Sequence, residues 1–397
     1  MRAETALLSA VTLLLPVAAL SGWWIGRRVR SRDARLSGSP RGIFSQDYFR
    51  GINYLLDDQH DKAIEVFLKV LDLSDEAIET HLALGSLFRR RGEVDRAIRV
   101  HQNLIARPAL DAHTRARALL ELGHDYKRAG LLDRAESLYQ QLCSERQLEQ
   151  AALTQLIDIY QQLQDWPRAL EMAQTLASRF GVDTSVQQAH FLCEMAREAV
   201  RSNRTGEARE RLKKAARIAP QSARVALQVA SLERERGEYA RAIKTLKEIE
   251  RQAPEFLAEA IEPLEICYRA LERHQEFIEW LKARANADLG VTPVITLAEL
   301  QHEQGGEFEA MRVLVDELNR RPTVRGVDKL LEYCVARSEG EAQQNFALVK
   351  AFTSRLMERR SVYRCRECGF TGRTLHWQCP GCSRWETVRP IRGIEGE

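Results

Sequence analysis

Residues 85–101 read GSLFRRRGEVDRAIRVH, and residues 123–139 repeat the same arrangement as GHDYKRAGLLDRAESLY. In both stretches a glycine is followed after three positions by an aromatic residue, after twelve by an alanine and after sixteen by a histidine or tyrosine ring. The same set occurs 34 residues before the first stretch, at Gly51, Tyr54, Ala63 and Phe67. A unit of nearly constant length therefore recurs along the chain.

The alanine of this unit recurs through most of the remaining sequence. Ala169 follows Ala135 by 34 residues, Ala242 follows Ala208 by 34, and Ala310 lies two such periods after Ala242. Turn-forming and helix-ending residues keep fixed places relative to the alanine of their unit. The turn residues between paired helices lie five positions before it, at Gly92, Gly130, Asn203, Gly237 and Gly305, and the prolines after second helices lie twelve positions after it, at Pro220, Pro254 and Pro322. Glycine and asparagine tolerate the positive φ of such turns, and proline cannot continue a helix.

This pattern resembles the tetratricopeptide repeat, a pair of helices in which small residues allow close approach. The resemblance implies an all-α superhelix over residues 44–359, with eight or nine helix pairs whose hollow face binds a partner segment. The fourth and seventh pairs are the least regular, and Glu276 stands in place of the seventh alanine. An ordinary helical bundle is the alternative, but the agreement of spacing, turn residues and prolines disfavours it.

Four cysteines near the carboxyl end form two close pairs, Cys365 with Cys368 and Cys379 with Cys382. Each Cys-x-x-Cys turn directs two thiolates at one point, and two such turns complete a tetrahedral all-sulfur shell. Residues 360–397 are too few to bury a core of their own, so we expect the metal to supply much of their folding energy. A filled shell leaves no open coordination position, which makes the predicted site structural.

Zinc is the favoured metal and iron is the alternative. The paired cysteines, Gly369 and the Cys-Pro-Gly-Cys turn resemble rubredoxin, but the loop between the knuckles is shorter than in a rubredoxin and no second redox centre is visible. Two disulfides are disfavoured because Cys143, Cys193, Cys267 and Cys334 are scattered as lone residues in helical patterns. His376 is expected to be a packing residue.

The amino-terminal region contains 22 consecutive uncharged residues, from Thr5 to Gly26. At about 1.5 Å per residue they span a hydrocarbon core of about 30 Å, which predicts a transmembrane signal anchor over residues 1–26. A basic linker, residues 27–43, follows and places the body of the chain on the cytoplasmic side. A cleaved signal peptide would carry its positive charge before the apolar segment, and a buried core helix would have a polar face.

Charge and composition exclude several classes of function. Residues 1–43 carry 7 basic and 2 acidic groups, residues 360–397 carry 7 and 4, and the remainder carries 45 and 50. A basic stripe through the body, as nucleic-acid binding requires, is missing. Arg89, Arg90 and Arg91 are expected to form an exposed helix end. We find no catalytic constellation and expect no catalytic or cofactor-binding residue.

The order of these features is specific. An anchor reading LLLPVAA and then GWWIGRR, a tetratricopeptide array, and a tail from Tyr363 through both knuckles to Pro390-Ile391-Arg392-Gly393 resemble the lipopolysaccharide assembly protein B family of Gram-negative bacteria. The resemblance covers nearly the whole chain. It implies that Cys365, Cys368, Cys379 and Cys382 bind the metal and that the protein is not an enzyme.

The resemblance also implies a function and partners. The family comprises single-pass adaptors of the inner membrane, facing the cytoplasm, which regulate lipopolysaccharide biosynthesis. They bring the lipid A pathway deacetylase to a membrane-anchored AAA+ zinc protease, and an inner-membrane regulator that senses lipopolysaccharide contacts the anchor region. A scaffold for lipopolysaccharide synthesis or transport enzymes, without proteolysis, is the alternative, and the oligomeric state is left open.

The metal-binding tail follows the last helices without a flexible spacer. We therefore expect residues 360–397 to dock against the last repeats, with Phe370, Trp377 and Trp385 as the packing surface.

Overall fold

The computed structural model describes residues 46–57, 59, 62–67, 78–108, 110–285, 287, 289–358, 360–394 and 396. The predicted anchor, residues 1–26, and the predicted linker, residues 27–43, lie outside the described residues. Among the residues described, no helix has both the length and the hydropathy that crossing a bilayer requires.

Eighteen helices form nine consecutive pairs in the described part of the chain. They are α1 Gln46–Leu56, α2 62–67, α3 Ile78–Arg91, α4 Val94–Ile105, α5 Ala112–Arg128, α6 Leu132–Ser144, α7 Glu149–Gln162, α8 Trp166–Phe180, α9 Ser185–Arg201, α10 Thr205–Ile218, α11 Ala223–Glu235, α12 Tyr239–Gln252, α13 Leu257–Ala270, α14 His274–Lys282, α15 Thr292–Glu303, α16 Glu307–Arg320, α17 Val324–Arg337 and α18 Gly340–Glu358. A 3₁₀ turn, Pro254–Phe256, precedes α13. Odd-numbered helices are the first helices of their pairs.

The recurring glycine and ring are in direct contact within a pair. A Cβ atom added at Gly51 would lie 2.6 Å from the Phe67 ring, and one added at Gly123 would lie 2.6 Å from the Tyr139 ring. At Gly85 the corresponding contact with His101 would be 2.4 Å. No side chain fits at these distances. The glycine and the ring sixteen residues later recur together because the ring packs directly on the glycine backbone.

The alanines and turn residues behave as the sequence predicts. The recurring alanines are all completely buried: Ala63, Ala97, Ala135, Ala169, Ala208, Ala242 and Ala310. The predicted turn residues have φ between 59° and 84°, at Gly92, Gly130, Asn203, Gly237 and Gly305. In the two least regular pairs, the fourth and the seventh, Gln164 and Glu272 take this conformation with φ of 57°. Glycine is thus preferred at the turn without being essential.

The described residues divide into two compact units. One extends to Ala152 and the other runs from Leu153. In the first unit, the expectation that Arg89 forms part of an exposed helix end was wrong. Its Nη1 lies 2.7 Å from Asp125, and its Nη2 lies 2.6 Å from Glu121. The arginine therefore joins α3 to α5. The completely buried Asp125 also contacts Nδ1 of His101, at 2.5 Å.

A small antiparallel sheet follows the last helix, in the second unit. Its strands are β1 Tyr363–Cys365, β2 Thr371–Gly372 and β3 Val388–Pro390, in the order β2-β1-β3. We call residues 363–390 the ribbon. Its own buried cluster consists of Cys365, Cys379 and Val388, so the ribbon has very little apolar core.

Candidate metal centre and its docking surface

The first cysteine turn follows strand β1, and the second follows Gln378, which forms an isolated bridge with Trp385. After β1, Gly369 at a φ of 75° closes the first turn, and its N–H donates to the carbonyl of Cys365 at 3.2 Å. In the second turn the N–H of Ser383 donates to the carbonyl of Cys379 at 2.8 Å. A Cβ at Gly381 would lie 3.1 Å from Cys368 Sγ, which explains the glycine between the second pair of cysteines.

The four sulfur atoms have the geometry of a metal shell. The Sγ atoms of Cys365, Cys368, Cys379 and Cys382 all lie within 4.8 Å of one another. Cys365 and Cys382 are 3.8 Å apart, and Cys368 and Cys379 are 3.5 Å apart. A tetrahedral ion with metal–sulfur bonds of about 2.3 Å requires sulfur separations of about 3.8 Å. These residues therefore fit one structural metal ion, and the separations are too long for disulfides.

His376 lies beside the cluster without joining it. Its Nε2 is 3.1 Å from the hydroxyl oxygen of Thr374, and its ring meets the edge of Phe370 with centroids 6.0 Å apart. This agrees with the expected packing role. Phe370 also packs inside the ribbon, against the buried Cys365, Cys379 and Val388.

Trp385 is the centre of the contact between ribbon and repeats. Its indole N–H donates to Oε1 of Gln161 in α7 at 2.6 Å. The indole stacks on His190 of α9 with centroids 4.6 Å apart and planes at 15°, and it meets Phe191 edge-on. The Arg224 guanidinium lies 5.4 Å from its ring centroid. The ring and the N–H of this indole therefore both have partners in the repeats.

Buried charges surround this tryptophan. Nδ1 of His190 accepts from Arg224 at 3.0 Å, while Nε2 lies 3.2 Å from Oε1 of Glu386 in the ribbon. Because arginine can only donate, the neutral imidazole has its proton on Nε2, facing Glu386. Arg224 also donates to Glu194 at 2.5 Å, and Glu386 accepts from the hydroxyl of Ser222.

Burial and neighbouring charges set the protonation states of His190 and Glu386. Burial lowers the pKa of His190 below its ordinary 6.5, and the charge of Arg224 lowers it further against the opposing effect of Glu386. Burial alone would raise the pKa of Glu386, but the neighbouring His190, the hydroxyl of Ser222 and the charge of Arg224 together outweigh burial and lower it. A neutral histidine between an arginine and a carboxylate is therefore the stable state of this contact.

The ribbon makes further contacts along the second unit. The hydroxyl of Tyr363 donates to Glu259 of α13 at 2.5 Å, and Arg389 pairs with Glu255 in the 3₁₀ turn. Trp377 packs on Phe256 with centroids 5.3 Å apart. Beyond the ribbon, the N–H of Val324 in α17 donates to the carbonyl of Ile394 at 2.9 Å.

The expected docking site was therefore wrong in position. The ribbon lies mainly on the first helices α7, α9, α11 and α13, and only the tail beyond it reaches the last pairs. Phe352 and Leu356 of α18, which precede the ribbon in sequence, are 54% and 49% exposed. The physical reason is that the chain reverses after α18, so sequence proximity does not decide which helices meet the indole rings.

Sequence reasoning missed Gln161, His190, Arg224 and Glu386. One signal was available, because His190 and Arg224 are separated by one period of 34 residues and so occupy the same place in successive first helices. A histidine and an arginine at a position facing a partner could have been recognised as interface residues. Nothing local to Gln161 or Glu386 indicates their roles.

A second surface lies on the first helices of the other unit. A cavity of about 540 Å³ is lined by α3, α5 and Leu148. Arg117 of α5 donates to both carboxylate oxygens of Glu79 in α3, at 2.5 and 2.9 Å. Leu82, Ala83 and Leu120 give the cavity apolar walls beside these charges.

Comparisons with known proteins agree with this architecture. Family models match the rubredoxin metal binding domain at residues 363–390 and the tetratricopeptide repeat at residues 80–112 and 199–261. The chain is 38% identical over 392 residues to lipopolysaccharide assembly protein B of Escherichia coli strain K12, covering 98% of this chain and all of that protein. It is 33% identical to the Haemophilus influenzae protein of the same name, covering 96% of this chain and 98% of that one. At this identity over nearly full length, the chain belongs to the lipopolysaccharide assembly protein B family.

Proposed function

We propose that this protein is an inner-membrane adaptor that regulates lipopolysaccharide biosynthesis. In this proposal it presents the lipid A pathway deacetylase to a membrane-anchored ATP-dependent zinc protease and so promotes degradation of the deacetylase. An inner-membrane regulator that senses lipopolysaccharide acts on the anchor region. The relatives' name supports a role in lipopolysaccharide assembly, and the tetratricopeptide repeats favour binding over catalysis.

The observation that carries the proposal is that the surface of the first helices is covered in one unit and open in the other. On α7 to α13 this surface is covered by the ribbon, through Trp385 and its buried charges. On α3 and α5 the corresponding surface opens into the cavity lined by Glu79, Arg117 and apolar side chains. A protein that holds one segment of its own chain in this way has the kind of surface that binds segments of other proteins.

The membrane attachment belongs to the same proposal. The uncharged segment from Thr5 to Gly26, followed by five arginines up to Arg35, supports a single-pass anchor with the repeats in the cytoplasm. Such an anchor would keep the repeats close to a membrane-bound protease.

The decisive experiment measures the half-life of the deacetylase in cells that contain the full chain, lack it, or contain a chain without residues 1–26. We expect a short half-life only with the full chain. A scaffold that organises synthesis or transport enzymes would leave the half-life unchanged in all three strains, and that result would reject the adaptor.

Zinc is the proposed metal of the cysteine cluster. When bound, the ion joins the two knuckles and supplies folding energy to a ribbon with little core. We expect purified protein to be colourless and to contain one zinc per chain by elemental analysis. A red, redox-active protein containing iron would favour the electron-transfer alternative.

A further inference from the structure

The last helix of the array, α18, carries an apolar face that the described part of the chain leaves uncovered. No residue of α18 is buried. Leu348, Val349, Phe352 and Leu356 are 58%, 47%, 54% and 49% exposed and fall on one side of the helix. The opposite side is held to α17, where Asp328 accepts from the hydroxyls of Thr353 and Ser354 at 2.6 and 2.9 Å.

This face is unusual for the end of a repeat array. Terminal repeats need a polar outer side to remain soluble, because no further repeat covers them. Here four large apolar side chains lie together instead, which is typical of a contact surface. The ribbon that follows α18 in sequence does not cover them, since it packs on α7 to α13.

The charges beside the apolar face are arranged symmetrically. Glu341 lies seven residues before Leu348, and Arg355 lies seven residues after it. Seven residues are close to two helical turns, so all three share one stripe, with each charge about 10.5 Å from Leu348 along the axis. Both charged residues are exposed, and neither forms an ion pair within the described residues.

We propose that α18 pairs antiparallel with α18 of a second copy of this chain. A twofold axis at Leu348 places Glu341 opposite Arg355 of the other copy, twice, with the two Leu348 side chains in contact between these ion pairs. The same register sets Phe352 against Gln344 and Leu356 against Gly340 of the other copy. The contact is isologous and closes at two chains. A single helix pair buries less than the roughly 1,200 Å² of stable interfaces, so the dimer dissociates readily.

Cysteine crosslinking of the full chain in its own membranes tests the register. With Leu348→Cys and a short bismaleimide, we expect a crosslinked homodimer at least several-fold more abundant than with Ala347→Cys. Ala347 is also exposed but lies about 100° around the helix from Leu348. The chain without an introduced cysteine measures the background from its native thiols. Equal crosslinking from the two variants, or none above background, would overturn the pairing.

Charge exchange distinguishes a second copy from other occupants. In the Leu348→Cys chain, Glu341→Arg should reduce crosslinking several-fold, because arginine then faces arginine. Adding Arg355→Glu should restore it, since the exchanged charges again meet their opposites. If α18 instead lay on a lipid surface or on an unrelated protein, the double variant would remain impaired. Matching thermal melts of all variants would show that folding is unchanged.

Discussion

At the scale of single residues, the contact between ribbon and repeats depends on groups that are costly to bury alone. Arg224 is 3% exposed in its side chain and satisfies Glu194, which is 8% exposed, as well as Nδ1 of His190. Glu194 has a second arginine partner, Arg197, whose side chain is 51% exposed. The two arginines therefore share a carboxylate and differ mainly in burial.

Arg224→Ala should destabilise the second unit strongly. It leaves Nδ1 of His190 without its donor and Glu194 with only the half-exposed Arg197, and breaking a buried pair costs about 3–5 kcal/mol. Arg197→Ala is the matched control, and we expect at most about 1 kcal/mol because exposed pairs contribute little. Urea unfolding of both variants measures the difference in the free energy of unfolding. Similar losses from the two would contradict this account of the contact.

Acid should weaken the same contact. The folded-state pKa of His190 is lowered from 6.5, so the unfolded chain binds more protons in the pH range between the folded pKa and 6.5. The free energy of unfolding should therefore fall as pH decreases through 6.5, by up to about 1.4 kcal/mol per pH unit.

Urea unfolding between pH 7.5 and 5.5 measures this slope, and His190→Gln should flatten it. His124 in the first unit also has a pKa lowered by burial, so His124→Gln is the control and should preserve the contribution of His190. An unchanged slope in His190→Gln would show that the histidine is not responsible.

At the scale of secondary-structure elements, the repeat pattern could be predicted from sequence because each of its causes is short-range. The ring of Tyr139 packs on Gly123 sixteen residues away, and the same contact joins His101 to Gly85. The cysteine turns are predictable for the same reason, since each brings two thiolates together across two intervening residues. Arg89 was less predictable, because its partners Glu121 and Asp125 belong to the next pair.

Gly123→Ala should destabilise the first unit. The new methyl group would lie 2.6 Å from the Tyr139 ring, and such overpacking costs about 1–3 kcal/mol. Gly206→Ala is the control, because Gly206 is also helical but has nothing within 4 Å of its added Cβ. We expect that variant to be neutral or stabilised by up to about 1 kcal/mol. Thermal melting of both distinguishes close packing from helix propensity.

At the scale of the whole molecule, the ribbon joins distant parts of the chain. Trp385 and Gln161 are 224 residues apart, and Tyr363 and Glu259 are 104 apart. The ribbon's own apolar core is small. Its fold therefore depends on the metal and on the repeats together, and the repeats it contacts depend on the ribbon.

Loss of the metal should destabilise helices that are far from the cysteines in sequence. In Cys379→Ser, or after chelation, we expect the ribbon to unfold and hydrogen exchange to increase in α7, α9, α11 and α13, while α3 to α5 keep their protection. Cys334→Ser is the control, because that thiol lies in α17 outside the cluster. Increased exchange confined to residues 363–390 would contradict the coupling between ribbon and repeats.

The sequence by itself determined the helix pairs, their turns and the four-cysteine cluster, because the residues responsible lie within one repeat or one pair of knuckles and leave a period or a spacing. Only the tertiary structure decided where the ribbon docks and which polar residues it buries. Those choices depend on contacts between residues more than 100 positions apart, such as Trp385 with His190 and Tyr363 with Glu259. The fit of an indole between Gln161, His190 and Arg224 follows from shape and burial, which no local pattern records.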